Sequence, residues 1–199
     1  MTKLFSPACE RNSAPILDVL KPLLQQSKNL LEIGSGTGQH AVYFGAQMPH
    51  LLWQCSDRVE YHSSILAWQA EAGLDNVQPP YTLDVATSKW PGQTFDAVFT
   101  ANTCHIMAWQ EVEMMFAGVS ELLTPEGLFC IYGPFNYAGR FTSESNQQFD
   151  ASLRSQAAHM GIRDIEKIES LANQSGLHLR DDHTMPANNR LLVFVFDDK

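Results

Sequence analysis

The sequence predicts an α/β fold in which a mostly parallel sheet carries helices on both faces. Helical and strand-like segments alternate from residue 12 to residue 132, and the strand-like segments are short and apolar almost throughout. Such alternation is typical of parallel strands joined by right-handed crossovers, and strands without a polar face are covered on both sides. The chain closes with two strand-like segments around a short turn, which predicts an antiparallel hairpin.

The individual elements follow from the spacing of apolar residues. Helices are predicted at residues 12–26, 38–47, 59–72, 109–123, 147–158 and 164–175. Seven strands are predicted at residues 30–33, 51–55, 81–83, 95–99, 128–132, 177–180 and 190–196. Gly73 is expected to end the third helix in a C-cap position, and Asn12 is a candidate N-cap of the first.

Length and charge restrict the classes of protein that the chain can form. With 199 residues, a single domain over 1–199 is expected, in which 1–27 form an N-terminal segment with the first helix and 134–163 a lid-like insertion. There are 13 Lys and Arg against 22 Asp and Glu, a net charge of −9. This balance disfavours binding to nucleic acid, which needs clustered positive charge.

The cysteines and the apolar runs indicate the cellular compartment of the protein. Its four cysteines are far apart and form no CxxC pair, so neither a disulfide framework nor a metal site is expected. No apolar run is long enough for a membrane span, and residues 1–11 lack the apolar core of a signal peptide. A cytoplasmic protein without membrane contact is therefore predicted.

A glycine-rich loop carries the clearest functional signal. Gly34, Gly36 and Gly38, with Ser35 between the first two, connect the first predicted strand to the second predicted helix. Glycine permits positive φ angles and lets a ligand approach the backbone closely, and a helix N-terminus offers free N–H groups. We expect a ligand at this loop, at the carboxyl edge of the sheet.

Phosphate and dinucleotide ligands fit the loop less well. A Walker loop requires Lys after the last glycine, where this chain has Gln39. A dinucleotide fingerprint fits only in a shifted register that runs from Gly36 to Ala41, with Asp57 nineteen residues after Gly38 as the ribose-binding acid. No Tyr-x-x-x-Lys sequence accompanies it. An NAD(P)-dependent oxidoreductase remains an alternative.

Glu32 favours a cationic ligand instead. It lies two residues before Gly34 in an otherwise apolar strand, and a buried carboxylate is costly unless it is paired or hydrogen-bonded. S-adenosylmethionine is cationic at its sulfur and its amine, and could supply a partner. The segment 30–38 resembles motif I of the class I S-adenosylmethionine-dependent methyltransferases, hydrophobic-hydrophobic-Glu-hydrophobic-Gly-x-Gly-x-Gly.

The resemblance extends over about residues 28–196 and implies a Rossmann-like class I methyltransferase fold. It implies that Asp57 binds the ribose of S-adenosylmethionine, although Asp57 could instead cap the following helix. It also implies that Asp84 and Val85 contact the adenine and that Asn102 lines the cofactor pocket. Arg11, together with Asn12, could bind the carboxylate of the cofactor through its guanidinium fork.

A narrower likeness rests on Ser6-Pro-Ala-Cys-Glu-Arg-Asn and Met185-Pro-Ala-Asn-Asn. These segments resemble a small group of uncharacterised class I proteins, methyltransferase-like protein 26 and its bacterial relatives. The likeness implies a fold and a cofactor but no particular substrate.

The acceptor side is less well defined. His105 follows the fourth predicted strand and is the candidate catalytic base, since histidine titrates near neutral pH, or else a packing residue. Candidate substrate contacts are Tyr132, Pro134, Phe135, Tyr137 and Asn188. A small-molecule acceptor is expected because nearly the whole chain builds the core. As no base is unmistakable, a non-catalytic S-adenosylmethionine-binding protein is a second alternative.

Overall fold

A computed structural model describes residues 3–87 and 89–197, in which nine strands and six helices are found. The helices are α1 (Pro7–Leu23), α2 (Gln39–Gln47), α3 (Val59–Ala72), α4 (Trp109–Leu122), α5 (Glu144–Gln156) and α6 (Ile165–Gln174). The strands are β1 (Asn29–Ile33), β2 (Leu52–Asp57), β3 (Val77–Thr82), β4 (Phe95–Ala101), β5 (Leu123–Gly133), β6 (Phe135–Asn136), β7 (Arg163–Asp164), β8 (Leu177–Met185) and β9 (Asn189–Phe196).

Seven of these strands form one sheet in the order β3-β2-β1-β4-β5-β9-β8. The five strands from β3 to β5 in this order are parallel to one another, whereas β9 is antiparallel to both β5 and β8. This confirms the predicted mostly parallel sheet with a C-terminal hairpin. The strand order reverses between β1 and β4, and in open α/β sheets ligands bind beyond the carboxyl ends of the strands at such a point.

Successive residues of the central strands point to opposite faces of the sheet, and both faces are covered. Leu30 packs in a core cluster with α1, α2 and α3, and its neighbour Leu31 packs in a second cluster with α4 and α6. Helices therefore lie on both faces, as predicted. Among the described residues, no helix is both long enough and apolar enough to cross a membrane.

The first helix begins earlier than the sequence pattern suggests. Its N-cap is Ser6, whose Oγ accepts a hydrogen bond from the Cys9 N–H at 3.4 Å, and Pro7 follows. Proline is well tolerated there because the first helical N–H groups have no partner within the helix. The prediction that Asn12 caps α1 is therefore wrong, and Asn12 lies buried inside the helix. The predicted end of α3 at Gly73, with φ 60°, is confirmed.

Several strands are longer than predicted, and β5 and β8 exceed their predicted lengths most. β5 already begins at Leu123 and includes Pro125, in an irregular stretch where the register with β4 shifts; proline is tolerated at such irregularities. β8 extends to Met185 through the charged segment 180–182. This strand forms one edge of the sheet, and charged side chains at an edge discourage pairing with another chain.

The segment 134–163 crosses the carboxyl edge of the sheet. Its short strand β6 pairs with β7, and α5 lies between them in the sequence. Asn146 near the start of α5 donates a hydrogen bond from Nδ2 to the carbonyl of Asn188 at 3.1 Å, which joins this segment to the turn of the C-terminal hairpin. The segment is thus fastened at both ends beside the carboxyl ends of β4 and β5.

Gly45 offers a test of the packing between α2 and β3. A Cβ atom at Gly45 would lie 2.3 Å from Cγ2 of Val77, so Gly45→Ala is expected to destabilise the fold by about 1–3 kcal/mol. In an open helix position the same change stabilises by about 1 kcal/mol. Urea unfolding followed by circular dichroism measures the effect, with Gly92→Ala as control because its Cβ would meet no atom within 4 Å. A Gly45→Ala variant as stable as the control contradicts this packing.

Candidate cofactor and acceptor site

The glycine loop adopts a conformation that side chains disfavour and leaves space above it. Gly34, Gly36 and Gly38 have φ angles of 72°, 56° and 94°. A Cβ atom at Gly34 would lie 2.8 Å from Cγ2 of Thr103. At Gly36, by contrast, the nearest atom to such a Cβ is the Gly34 carbonyl oxygen at 4.0 Å. The loop is therefore tightly packed at its start and open at its centre, where a ligand can approach the backbone.

Asp57 holds the centre of this loop in place. Its Oδ2 accepts a hydrogen bond from the Gly36 N–H at 2.6 Å, and its Oδ1 accepts one from the Arg58 N–H at 2.7 Å. Burial raises the pKa of the Asp57 carboxyl, and these two hydrogen bonds oppose the shift. The N-cap of α3 is Arg58 rather than Asp57, so the alternative that Asp57 caps this helix is wrong.

Glu32 lies below the loop and has protein partners. It is 2% exposed, and its Oε2 accepts hydrogen bonds from Ser35 Oγ at 2.8 Å and from Trp53 Nε1 at 3.0 Å. Burial raises the pKa of Glu32 to about 7, although both hydrogen bonds lower it. The chain itself thus supplies the partners that the sequence analysis assigned to a cationic ligand, and it leaves a carboxyl group that titrates near neutrality.

The remaining cofactor-side residues lie at the same edge of the sheet. Asp84 is in the turn after β3, where its Oδ1 accepts a hydrogen bond from the Ala86 N–H at 3.0 Å. Val85 packs against the core cluster that contains α4 and α6. Arg11 is exposed on α1, whereas the neighbouring Asn12 is buried.

Asn12 belongs to a buried polar cluster that the sequence analysis missed. Its Oδ1 lies 2.7 Å from Nε2 of His40, and its side chain also hydrogen-bonds to Tyr132. The other ring nitrogen of His40, Nδ1, lies 4.0 Å from Sγ of Cys9. Burial lowers the pKa of His40 to about 4, so its imidazole is neutral at physiological pH. The sequence signal that could have indicated this cluster is the position of His40 directly after the glycine loop.

Asn102 and His105 occupy the turn that follows β4. Asn102 has a φ of 60°, an uncommon angle for a residue other than glycine, and such strain clusters at functional sites. His105 is 6% exposed, and burial together with the positive charge of Arg163 lowers its pKa to about 4. The ring of His105 meets that of Phe149 edge-on, with centroids 5.3 Å apart.

These two side chains border one small space at the end of β5. A Cβ atom built on Gly133 would lie 3.8 Å from Nδ1 of His105 and 4.0 Å from Oδ1 of Asn102. We call this space the Gly133 slot. An atom in this space would be in contact with both a neutral imidazole nitrogen and an amide oxygen.

The predicted substrate contacts lie in different environments in the structure. Tyr132 and Phe135 are buried in opposite core clusters, and Pro134 is buried between them. Tyr137 donates a hydrogen bond from its hydroxyl to Oδ2 of Asp182 at 2.6 Å. Burial and this carboxylate raise the pKa of Tyr137 far above its ordinary value, which makes the tyrosine unsuitable as a base. Asn188 lies in the hairpin turn and donates to Ser145 Oγ at 3.2 Å.

No metal centre is evident in the part of the chain that the structure describes. Within residues 3–87 and 89–197, no group of three or more His, Cys, Asp or Glu side chains is placed to hold a metal ion.

The strand order, the loop after β1 and the antiparallel hairpin together define a Rossmann-like class I methyltransferase fold. More particularly, the chain belongs to the family described as "Protein of unknown function (DUF938)", which matches residues 3–195. The narrower likeness to methyltransferase-like protein 26 stays a prediction.

Solved structures of methyltransferases have the same fold. An O-methyltransferase family protein from Burkholderia thailandensis is 15% identical with a TM-score of 0.83, over 94% of this chain and 56% of that one. The S-adenosylmethionine-dependent methyltransferase SibL is 18% identical with a TM-score of 0.82, over 96% and 56%. CalO1, from calicheamicin biosynthesis and in an SAH-bound form, is 14% identical with a TM-score of 0.70, over 84% and 48%. This chain thus spans about half the length of these proteins.

The raised pKa of Glu32 predicts a pH dependence of stability. The folded protein holds this proton up to about pH 7, whereas a glutamate in the unfolded chain releases it near 4.5. Between these values the folded state binds more protons, so the free energy of unfolding falls as pH rises. Glu32→Gln is expected to remove this fall, which amounts to about 3 kcal/mol. Urea unfolding at several pH values measures it, with the exposed Glu121→Gln as control. An unchanged pH dependence in Glu32→Gln contradicts the assignment.

Proposed function

We propose that this protein is an S-adenosylmethionine-dependent methyltransferase that acts on a small-molecule acceptor. The observation that carries the proposal is the glycine loop, which Asp57 fixes in an open conformation beside the Gly133 slot. The methyltransferases that share the fold support it, and they favour this activity over an NAD(P)-dependent oxidoreductase.

The residues around the loop fit the chemical groups of S-adenosylmethionine. A carboxylate offers about four acceptor positions, so Asp57 can accept from ribose hydroxyls while it holds Gly36 and Arg58. In this proposal Asp84 and Val85 face the adenine, and Glu32 with the loop backbone faces the amine end. Arg11 and Asn12 lie on α1 beside that end of the site. When bound, S-adenosylmethionine supplies an electrophilic methyl group on a sulfonium sulfur.

The contribution of the protein is then to align the acceptor and remove its proton. Fixing two reactants in a reactive geometry contributes roughly 7–11 kcal/mol. His105 is the base in this proposal because its imidazole borders the Gly133 slot; its lowered pKa keeps the ring unprotonated at physiological pH but makes it a weaker base than an ordinary histidine. A hydroxyl placed in this slot could donate its proton to His105, and the imidazole would hold that proton. Asn102 can accept a hydrogen bond through Oδ1 from a different donor group of the acceptor and so orient it.

The role of Asp57 in cofactor binding can be measured directly. Asp57→Asn is expected to weaken the binding of S-adenosylhomocysteine at least ten-fold, because the variant loses the charge that strengthens hydrogen bonds to the loop and the ribose. Isothermal titration calorimetry measures the affinity. The matched control is Asp96→Asn, since the Asp96 carboxylate also accepts two backbone hydrogen bonds, from Lys28 and Asn29, at the start of its strand. Equal affinity in both variants argues against a ribose contact.

The Gly133 slot and its base can be tested together. His105→Gln is expected to reduce methyl transfer by about 10²–10⁴-fold, the usual contribution of a general base. Gly133→Ala places a methyl group in the slot at ordinary contact distance, so it is expected to block the acceptor and leave the fold intact. Formation of S-adenosylhomocysteine with a panel of phenols, carboxylic acids and amines measures transfer. Gly92→Ala is the control, and a fully active Gly133→Ala variant would remove the slot from the mechanism.

A further inference from the structure

A side chain from a distant part of the sequence fastens the turn that carries His105. Arg163 in β7 donates a hydrogen bond from Nε to the Cys104 carbonyl at 2.9 Å and another from Nη2 to the Met107 carbonyl. The same Nη2 donates to the His159 carbonyl at 3.0 Å. One guanidinium therefore holds a carbonyl on each side of His105.

Backbone hydrogen bonds around this contact also restrain the turn that carries His105. The Gly161 N–H donates to the carbonyl of His105 itself at 2.9 Å. Arg163 pairs with Phe135 in the ladder between β6 and β7. Phe135 lies two residues after Gly133. The arginine is thus anchored to the segment that forms one wall of the Gly133 slot, and its side chain reaches the turn that forms the other.

Arg163 also determines the charge beside His105. It is half-buried, and burial lowers the pKa of the guanidinium, which stays charged because arginine starts so high. Asp150, whose charge acts on Arg163, is itself bound to Arg154 at 2.6 Å and to the Ile162 N–H at 2.7 Å. Phe149 is the ring that α5 presents to His105. The imidazole therefore faces a positive charge from β7 and an apolar ring from α5.

We propose that Arg163 is a positioning residue, which holds the turn of His105 so that the imidazole faces the Gly133 slot as a neutral base. A lysine cannot replace it, because only the planar fork of arginine carries several donors in fixed directions toward separate carbonyls. This inference rests on the proposed function only in taking His105 as a base. The placement of His105 by Arg163 does not depend on that function.

Nuclear magnetic resonance of the histidine rings tests the placement without any substrate. The spectrum of His105→Gln assigns the His105 signals. Arg163→Lys keeps the charge but loses the fork, so it is expected to weaken the ring-to-ring Overhauser contact between His105 and Phe149. Arg163→Gln loses both, so it is expected to weaken that contact and to raise the titration midpoint of His105, which burial still holds below the ordinary value of about 6.5.

A matched control and the unmodified protein complete the experiment. Arg180→Gln removes the same charge from the distant edge strand β8 and is expected to change neither signal. In the unmodified protein, the Nε proton of Arg163 should exchange with water at least ten-fold more slowly than that of Arg180, which is exposed. Equal exchange rates overturn the proposal even if both Arg163 variants fail to fold. Folded Arg163 variants with unchanged His105 signals overturn it as well.

Methyl transfer separates this inference from the proposed function. Arg163→Lys is expected to lower kcat at least ten-fold with an unchanged KM for S-adenosylmethionine, because the base is displaced while the cofactor residues are untouched. If His105→Gln leaves transfer unchanged while the Arg163 variants still shift the His105 signals, the base assignment fails and the positioning by Arg163 stands.

Discussion

The open centre of the glycine loop depends on one hydrogen bond, from the Gly36 N–H to Oδ2 of Asp57 at 2.6 Å. Three glycines with positive φ angles give the loop after β1 a conformation that costs much chain entropy to fix. Asp57 offsets that cost from the end of the neighbouring strand β2, and Ser35 adds a second tie through Glu32. Since the loop is held from below by these carboxyl groups, its upper surface at Gly36 stays free for a ligand.

The two halves of the site come from neighbouring parts of the sheet and are in tight contact at the glycine loop. The loop and its acids belong to β1, β2 and the turn after β3, whereas Asn102, His105 and the Gly133 slot belong to β4, β5 and the segment that follows. They meet where Gly34 lies against Thr103, too close for any side chain at position 34. A methyl donor above the loop and an acceptor in the slot would therefore be neighbours, as transfer between them requires.

The sequence predicts the fold well wherever a local pattern carries the information. Short, nearly continuous apolar runs predict the central strands, and Gly73 predicts the end of α3 because a left-handed C-cap favours glycine. Asp57 and the glycines could be placed because they stand at the ends of strands. The partners of Glu32 and His105 could not be predicted, since Trp53 and Arg163 are distant in sequence and reach these groups only after the sheet and the segment 134–163 have formed. Similarly, the second part of β8 could not be predicted, because its charged residues lack the apolar pattern that indicates a strand.

We propose that the loop held by Asp57 is shaped for S-adenosylmethionine rather than for a dinucleotide. Isothermal titration calorimetry of the unmodified protein with S-adenosylhomocysteine and, separately, with NADH tests this most directly. We expect saturable one-to-one binding of S-adenosylhomocysteine and no measurable heat with NADH. Saturable binding of NADH without binding of S-adenosylhomocysteine would contradict it.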